Sequence, residues 1–250
     1  VEPIEFIETL EKLNIRFVTG VPDSLLKDVC ASITSHFPPS QHVIATNEGS
    51  AVGLAIGHYL ATGRPALVYM QNAGLGNVVN PVTSLADPQV YGIPMIFMIG
   101  WRGEMLGNEK QLQDEPQHVK QGQVTLRQLE ILDIPYRIVD GDATKAEPLL
   151  DELIRLALEK SCPVALVVRK QTFTPYKLVQ RGHEEYALTR EAAIAAIVAA
   201  LPDHVPIVST TGMASRELFE LRDAVSQGHH RDFLIVGGMG NAGQIAAGIA

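Results

Sequence analysis

Residues 42–84 read HVIATNEGSAVGLAIGHYLATGRPALVYMQNAGLGNVVNPVTS, and this segment decides the fold. It predicts a short apolar strand at residues 42–45, a polar turn that holds Glu48, and a helix of small residues at 49–61. A second strand at residues 66–70 ends in a turn rich in Gly and Asn. A carboxylate beyond one strand and a Gly/Asn turn beyond the next are typical of ligand sites in open parallel sheets.

The alternation of strands and helices extends to both sides of this segment. Four further strands are predicted, at residues 15–19, 93–99, 136–139 and 164–168. Strands that alternate with helices pair in parallel through right-handed crossovers. The pattern therefore predicts an α/β fold, a doubly wound parallel sheet. The predicted boundaries are a first domain at 1–170, a polar linker at 171–188, and the N-terminal part of a second α/β domain at 189–250.

Composition excludes several classes of protein. The 250 residues are 46% hydrophobic and carry a formal net charge of −8, with Lys and Arg scattered, which argues against a nucleic-acid partner. No apolar run reaches the roughly 18 residues of a membrane span, and the first residues lack a signal-peptide pattern. Two cysteines, Cys30 and Cys162, make no disulfide framework. These features favour a cytoplasmic protein without a membrane partner.

Residues 100–121 are polar, contain glycine and are long for a connection, so we expect a functional loop that closes over substrate and carries His118. A helix is predicted to follow at 125–132. Before it in the chain, Asp23 or Ser24 is expected to cap the helix that follows the first strand.

Two turns of the second domain allow alternative functions. Residues 209–212 (STTG) follow a strand and precede a helix, where they either hold a phosphate or simply cap the helix. Gly238, Gly240 and Gly243 fit the dinucleotide fingerprint, which is the pattern of a nicotinamide-binding dehydrogenase. A third hypothesis is that the chain is a non-catalytic binding or assembly module.

The sequences TNEG at 46–49 and QNAGLGN at 71–77 resemble the pyrimidine-binding domain of thiamine-diphosphate enzymes. This resemblance implies that Glu48 is the essential acid, which hydrogen-bonds the aminopyrimidine so that the cofactor forms its thiazolium ylid. The alternative from the residues alone is an ordinary acid in the first turn of a helix.

Further sequences narrow the resemblance to the phosphonopyruvate and sulfopyruvate decarboxylases: GVPDS at 20–24, DEPQH at 114–118, and TG and SREL at 211–212 and 215–218. The resemblance implies non-oxidative decarboxylation of phosphonopyruvate to phosphonoacetaldehyde and CO2, a step of phosphonate and antibiotic biosynthesis. Sulfopyruvate is the alternative substrate. Such an enzyme is a lyase that uses thiamine diphosphate and Mg²⁺.

The resemblance also assigns residues. Glu48 and His118 are expected to be catalytic, while Ser24, Asn72 and His118 contact the substrate. The cofactor-binding residues expected besides Glu48 are Asn72, Thr211, Gly212, Gly238 and Met239. The alternative partners for a phosphonate dianion are Arg102, Lys110, Lys120 and Arg127.

The metal signature of the family, a Gly-Asp-Gly turn followed by an Asn, is not found in this sequence. No metal ligand is therefore named, and the chain is expected to be part of a longer protein, inactive by itself. The family also implies a homo-oligomer, with each cofactor between the first domain of one subunit and the second domain of its neighbour.

Overall fold

The computed structural model describes residues 1–107, 110–178, 187–238 and 240–250, and of residues 143–145 the backbone alone. Inter-residue contacts divide the chain into two compact units, residues 1–179 and 180–250. Met239, predicted to bind the cofactor, lies outside the described residues, as do residues 179–186 of the predicted linker.

The first unit is built on a parallel six-stranded sheet with the order β2-β1-β3-β4-β6-β5. The strands are β1 (Val18–Gly20), β2 (His42–Ile44), β3 (Leu67–Gln71), β4 (Met95–Gly100), β5 (Tyr136–Val139) and β6 (Pro163–Val168). β3, β4 and β6 are nearly continuous runs of buried apolar residues, as expected for strands covered on both faces. The six-stranded α/β prediction is confirmed.

Helices cover both faces of this sheet. They are α1 (Pro3–Lys12), α2 (Lys27–His36), α3 (Glu48–Thr62), α4 (Leu75–Pro81), α5 (Pro116–Ile131) and α6 (Ala143–Lys160). One core joins α1, α2 and α6 to one face of the sheet, and a second core joins α3, α4 and α5 to the other. Alternate residues of β3 enter opposite cores, Leu67 and Tyr69 the first, Val68 and Met70 the second. The sheet is therefore doubly wound.

The direction of strand addition reverses between β1 and β3. β2 lies on one side of β1, whereas β3, β4 and the later strands extend on the other. In doubly wound sheets, the crevice at the carboxyl ends of the strands beside such a reversal is the usual ligand site. The turns after β1, β2, β3 and β4 all end at this edge, because every pair in the sheet is parallel.

The sequence prediction was wrong for residues 116–124, which belong to a helix. The helix α5 begins at Pro116, nine residues before the predicted start at 125. Proline suits the first position of a helix, because its fixed φ is helical and its missing N–H is not needed there. The preceding loop folds back on itself, since Leu106 and Leu112 donate backbone hydrogen bonds to Lys110 and Glu104. His118 therefore lies on a helix and not in a loop.

The start of the predicted linker runs along the first unit. The amino group of Val1 donates to the carbonyl of Thr172 at 2.7 Å, and the N–H of Thr174 donates to the carbonyl of Val1 at 3.1 Å. The N–H of Tyr176 donates to Asp28 Oδ1 at 3.0 Å. Residues 172–176 are thus fastened to Val1, which precedes α1, and to the side chain of Asp28 in α2.

The second unit contains two parallel strands and three helices among its described residues. They are α7 (Arg190–Ala200), β7 (Ile207–Ser209), α8 (Met213–Ala224), β8 (Asp232–Leu234) and α9 (Ala242–Ile249). A buried ion pair joins α8 to β8. Arg222 of α8 donates from Nε and Nη2 to both carboxylate oxygens of Asp232, at 3.1 and 3.0 Å. Both side chains are almost fully buried, with 1% and 0% exposed. This pair fastens the end of α8 to the start of β8.

Candidate functional site

Glu48 is a buried carboxylate at the first position of α3, just past the end of β2. Asn47 caps this helix, since its Oδ1 accepts a hydrogen bond from the N–H of Ser50 at 2.9 Å. The Glu48 side chain therefore does not serve as the cap, and it extends toward the turn after β3. There Asn77 Nδ2 donates to Glu48 Oε2 at 2.7 Å. The two turns that the sequence predicts to share a site are in contact.

Gly74 lets Glu48 approach the turn after β3. A Cβ atom at Gly74 would lie 2.5 Å from Cγ and 2.6 Å from Oε1 of Glu48, closer than any side chain tolerates. Glu48 is 5% exposed, and among the described residues its Oε1 accepts no hydrogen bond. A carboxylate oxygen accepts hydrogen bonds, so Oε1 is left for a donor outside the described residues. The cradle of Glu48, Gly74 and Asn77 therefore fits a ligand that carries an N–H or O–H group.

Asn72 was predicted to contact cofactor and substrate, but its side chain holds the protein together. It is 0% exposed, and its Nδ2 donates to Thr125 Oγ1 and to the Arg102 carbonyl, both at 2.9 Å. Its Oδ1 accepts a hydrogen bond from the N–H of Arg102 at 3.3 Å. Both amide hydrogens are used inside the protein, so the side chain positions the loop after β4, and contact of Asn72 with cofactor or substrate stays a prediction.

Arg102 follows β4 and is fixed by a bidentate ion pair. Its Nε donates to Asp114 Oδ2 at 2.8 Å, its Nη2 donates to Oδ1, and its Nη1 donates to Ser24 Oγ at 2.7 Å. These hydrogen bonds hold the pKa of Asp114 well below its usual range and raise the pKa of Arg102. Ser24 therefore stands at the same sheet edge, with its own hydroxyl hydrogen available to a ligand.

Asp23 is a buried acid that the sequence analysis treated only as a helix cap. The helix α2 begins at Lys27 without a side-chain cap, so neither Asp23 nor Ser24 caps it. Gln71 Nε2 donates to Asp23 Oδ1 at 2.7 Å, and the N–H of Leu25 donates to Oδ2 at 3.2 Å. Burial raises the pKa of Asp23, although these hydrogen bonds oppose the rise. No short sequence pattern distinguishes such a residue from a turn aspartate.

His118 lies in the first turn of α5 and is buried, with 7% exposed. Its Nδ1 is buried without a hydrogen-bond partner in the described part of the chain. Burial, assisted by the charge of Arg102, lowers the pKa of His118, while Asp114 and Asp23 oppose that effect. The environment therefore favours the neutral imidazole, and Nδ1 is one nitrogen without a partner there.

Three of the cofactor residues predicted in the second unit, Thr211, Gly212 and Gly238, lie in the turns after β7 and β8. Thr211 Oγ1 donates to the carbonyl of Val236 at 2.7 Å, which joins the turn after β7 to the turn after β8. Gly212 and Gly238 have φ of +89° and +66°, values that glycine adopts without strain. Gly212 immediately precedes α8, whose first N–H groups form a ready site for an anion.

Neither a metal cluster nor a membrane helix occurs in the described residues. No group of three or more His, Cys, Asp or Glu side chains there is arranged to hold a metal ion. No helix in the same part of the chain has both the length and the apolar character needed to cross a bilayer.

Comparison with known proteins defines the class of this fold and site. Residues 5–123 match the model of the thiamine pyrophosphate enzyme, N-terminal TPP binding domain. Over 155 residues, the chain is 34% identical to sulfopyruvate decarboxylase subunit alpha of Methanococcus maripaludis, covering 86% of that protein and 62% of this chain. The chain belongs to the thiamine pyrophosphate enzyme family, and the resemblance expected from its sequence is confirmed.

Within this family, the chain is similar to phosphonopyruvate decarboxylase of Streptomyces viridochromogenes. The two are 29% identical over 261 residues, which cover 98% of this chain and 62% of the relative's length. The 4-hydroxybenzoylformate decarboxylase of Rhodococcus jostii shares the fold, with a TM-score of 0.50 and 18% identity over 87% of this chain and 41% of that one.

Proposed function

We propose that the protein containing this chain catalyses the non-oxidative decarboxylation of a 2-oxo acid that carries a phosphonate or sulfonate group. Phosphonopyruvate is the proposed substrate and phosphonoacetaldehyde the product, which places the reaction in phosphonate biosynthesis. Sulfopyruvate is the second candidate, because the relatives of both names match this chain. The observation that carries the proposal is the buried Glu48 with its open Oε1.

Thiamine diphosphate, when bound, supplies the electron sink that decarboxylation requires. Glu48 would hold the pyrimidine ring, since Oε1 is open to a ring nitrogen while Asn77 fixes Oε2. Gly74 keeps the cradle free of a side chain that would displace the carboxylate. A carboxyl group fixed in this way can share a proton with the ring, which is the work of a general acid.

His118 and Ser24 are the proposed substrate-side groups. Decarboxylation without oxidation replaces the lost carboxyl group by a proton, so each turnover consumes one proton. His118, with Nδ1 unpartnered, is suited to accept a proton that comes from solvent and to pass it to the product carbon, which returns the imidazole to its neutral form. Ser24 is suited to donate its hydroxyl hydrogen to a substrate oxygen, because Arg102 already donates to its Oγ. The loop before α5 is proposed to close over this side of the site.

The diphosphate is proposed to bind at Thr211, Gly212 and Gly238, at the N-terminus of α8. Met239 is proposed to support the bent form of the cofactor. Mg²⁺ is proposed to accompany the diphosphate, since it is commonly shared between a protein and phosphate oxygens. No ligand for it is assigned to this chain.

We also propose that the protein is a homo-oligomer, with each site at an interface between two subunits. Its proposed location is the cytoplasm. Residues of β2 and α3 line an open groove of about 810 Å³. Its floor includes Gly53 and Gly57, where an added Cβ would meet nothing within 4 Å. The exposed apolar side chains of Ile44 and Leu54 also line the groove, a surface suited to close packing of a second helix. Sedimentation that finds a stable, active monomer would contradict this assembly.

The decisive experiment is turnover by the full-length protein with thiamine diphosphate and Mg²⁺. Release of CO2 from phosphonopyruvate, sulfopyruvate and pyruvate is measured in parallel, with and without the cofactor. We expect cofactor-dependent release that is fastest with one of the two dianionic acids. Release from none of the three acids, by a folded protein that binds the cofactor, would refute the proposal.

A further inference from the structure

A cavity of about 590 Å³ opens beside the proposed site, between three segments of the first unit. The segments are the turn after β1, the loop after β4 and the chain that follows β6. Three basic residues line it, Lys27, Arg102 and Lys170. Because parallel strands place these segments at the same edge, the cavity adjoins Ser24, the proposed substrate contact.

Arg102 is held rigidly at the wall of this cavity. Asn72 fixes its backbone from both sides, through the carbonyl and the N–H. Asp114 and Ser24 together accept three of the five guanidinium hydrogens. One hydrogen on each terminal nitrogen is left for a ligand, and a planar pair of donors of this kind suits an oxyanion. A preorganised donor pair loses little conformational freedom on binding.

The acids around the cavity are already paired. Asp114 is engaged by Arg102, while Glu104 lies 2.7 Å from Arg169 Nε. Asp28 is 3.4 Å from Lys27 Nζ and also accepts the N–H of Tyr176. Lys170 has no acidic partner among the described residues. Among the residues that the structure describes here, an entering anion therefore meets cationic donors and no unpaired carboxylate.

We propose that Arg102, assisted by Lys170, binds the second anionic group of the substrate, a tetrahedral phosphonate or sulfonate. This inference rests on the proposed function and adds the residues that decide its specificity. It also selects one of the four basic residues that the sequence analysis gave as alternative partners for the phosphonate group. Lys110, Lys120 and Arg127 do not line this cavity, whereas Arg102 does.

The test replaces Arg102 in the full-length protein and compares acids with and without the second anion. Arg102→Met should lower kcat/KM for the preferred dianionic acid by about 100-fold or more, as expected when two charge-assisted hydrogen bonds are lost. Turnover of pyruvate, which lacks that group, should fall by about 10-fold or less, because the variant there loses only the hydrogen bond that orients Ser24; Arg102→Lys should restore part of the loss with the dianionic acid. Arg127→Met, an exposed cation of α5, is the matched control and should match wild type.

Removal of Arg102 leaves Asp114 unpaired, so the double variant with Arg102→Met and Asp114→Asn is measured beside the single one. Equal losses with pyruvate and with the dianionic acid, in a folded variant, would overturn the inference. Binding of 3-phosphonopropionate, followed by phosphorus NMR, gives an answer independent of turnover. If wild type decarboxylates no acid, the proposed function fails. The inference then stands if binding weakens in Arg102→Met and falls if both proteins bind equally.

Discussion

Glu48 of the first unit and Asp232 of the second unit both have buried side chains, and their hydrogen bonding differs. In the second unit, both oxygens of Asp232 accept hydrogen bonds from the buried Arg222. In the first unit, the neutral Asn77 is the one side-chain partner of Glu48 among the described residues, and Oε1 accepts no hydrogen bond there. Removing one member of a buried ion pair is costly, because the other charge stays buried. The comparison indicates that the Asp232 carboxylate serves the fold, and it agrees with the proposal that Glu48 binds a ligand.

The largest effect should follow from Glu48→Gln in the full-length protein. We expect turnover to fall by about 100- to 10,000-fold, because the variant cannot share the proton. The thermal unfolding midpoint should stay equal or rise, since no charged partner is stranded. Steady-state CO2 release and thermal unfolding measure the two effects. Near-wild-type turnover would show that Glu48, like Asp232, is not needed for the reaction.

Asp232→Asn should mainly lower the stability of the protein, whereas Glu48→Gln should mainly lower its turnover. Removing one member of a buried ion pair costs about 3–5 kcal/mol, because the other charge stays buried. Amide hydrogen exchange should localise the loss of protection to α8 and β8. Glu217→Gln, which breaks the surface pair with Arg190, is the control and should leave protection there unchanged. Unchanged exchange in Asp232→Asn would show that the pair is dispensable.

Gly74→Ala tests whether the cradle of Glu48 is sterically closed. The added methyl group would overlap the Glu48 side chain, and overpacking of this kind costs about 1–3 kcal/mol. We expect weaker thiamine diphosphate binding by calorimetry, as the carboxylate is pushed aside. Gly76→Ala is the matched control, since a Cβ there meets nothing within 4 Å. Equal binding by the two variants would contradict the close approach.

The smallest effect is expected for Asp23→Asn, and it should depend on pH. Burial raises the pKa of Asp23 in the folded state, so folding disfavours its ionised form. Stability of the wild type therefore falls as pH rises from the unfolded toward the folded pKa. The variant lacks this loss, so its unfolding midpoint should exceed that of wild type at neutral pH and approach it in acid. A lower midpoint at neutral pH would show that the hydrogen bonds to Asp23 outweigh its burial.

The sheet could be predicted from sequence because its central strands are continuous apolar runs with turn residues at each end. Glu48 could be singled out because it follows the short strand at residues 42–45 and lies within the family sequence TNEG, although β2 is an edge strand. The start of α5 was missed although Pro116 signals it, because the polar, glycine-containing residues before it favoured a loop over the whole of 100–121. That error also placed His118 on the wrong kind of element.

Other features of the site depend on contacts between distant segments, and no local pattern encodes them. The Arg102–Asp114 pair joins the two ends of the loop before α5, and the contact of Gly74 with Glu48 joins segments 26 residues apart in sequence. Asn72 was predicted to be a ligand because its turn carries the family sequence. Its actual partners, Thr125 and the Arg102 backbone, become neighbours only when α5 packs on the sheet.

The buried side chain of Asn72 has a consequence for the heat and entropy of ligand binding. It ties the turn after β3 to the loop after β4 and to α5, so three walls of the crevice are ordered before any ligand arrives. The conformational entropy of those walls is lost during folding and does not have to be lost again on binding. Calorimetric binding to the wild type should therefore show a smaller unfavourable entropy than binding to Asn72→Ala, in which the same segments are ordered only by the ligand.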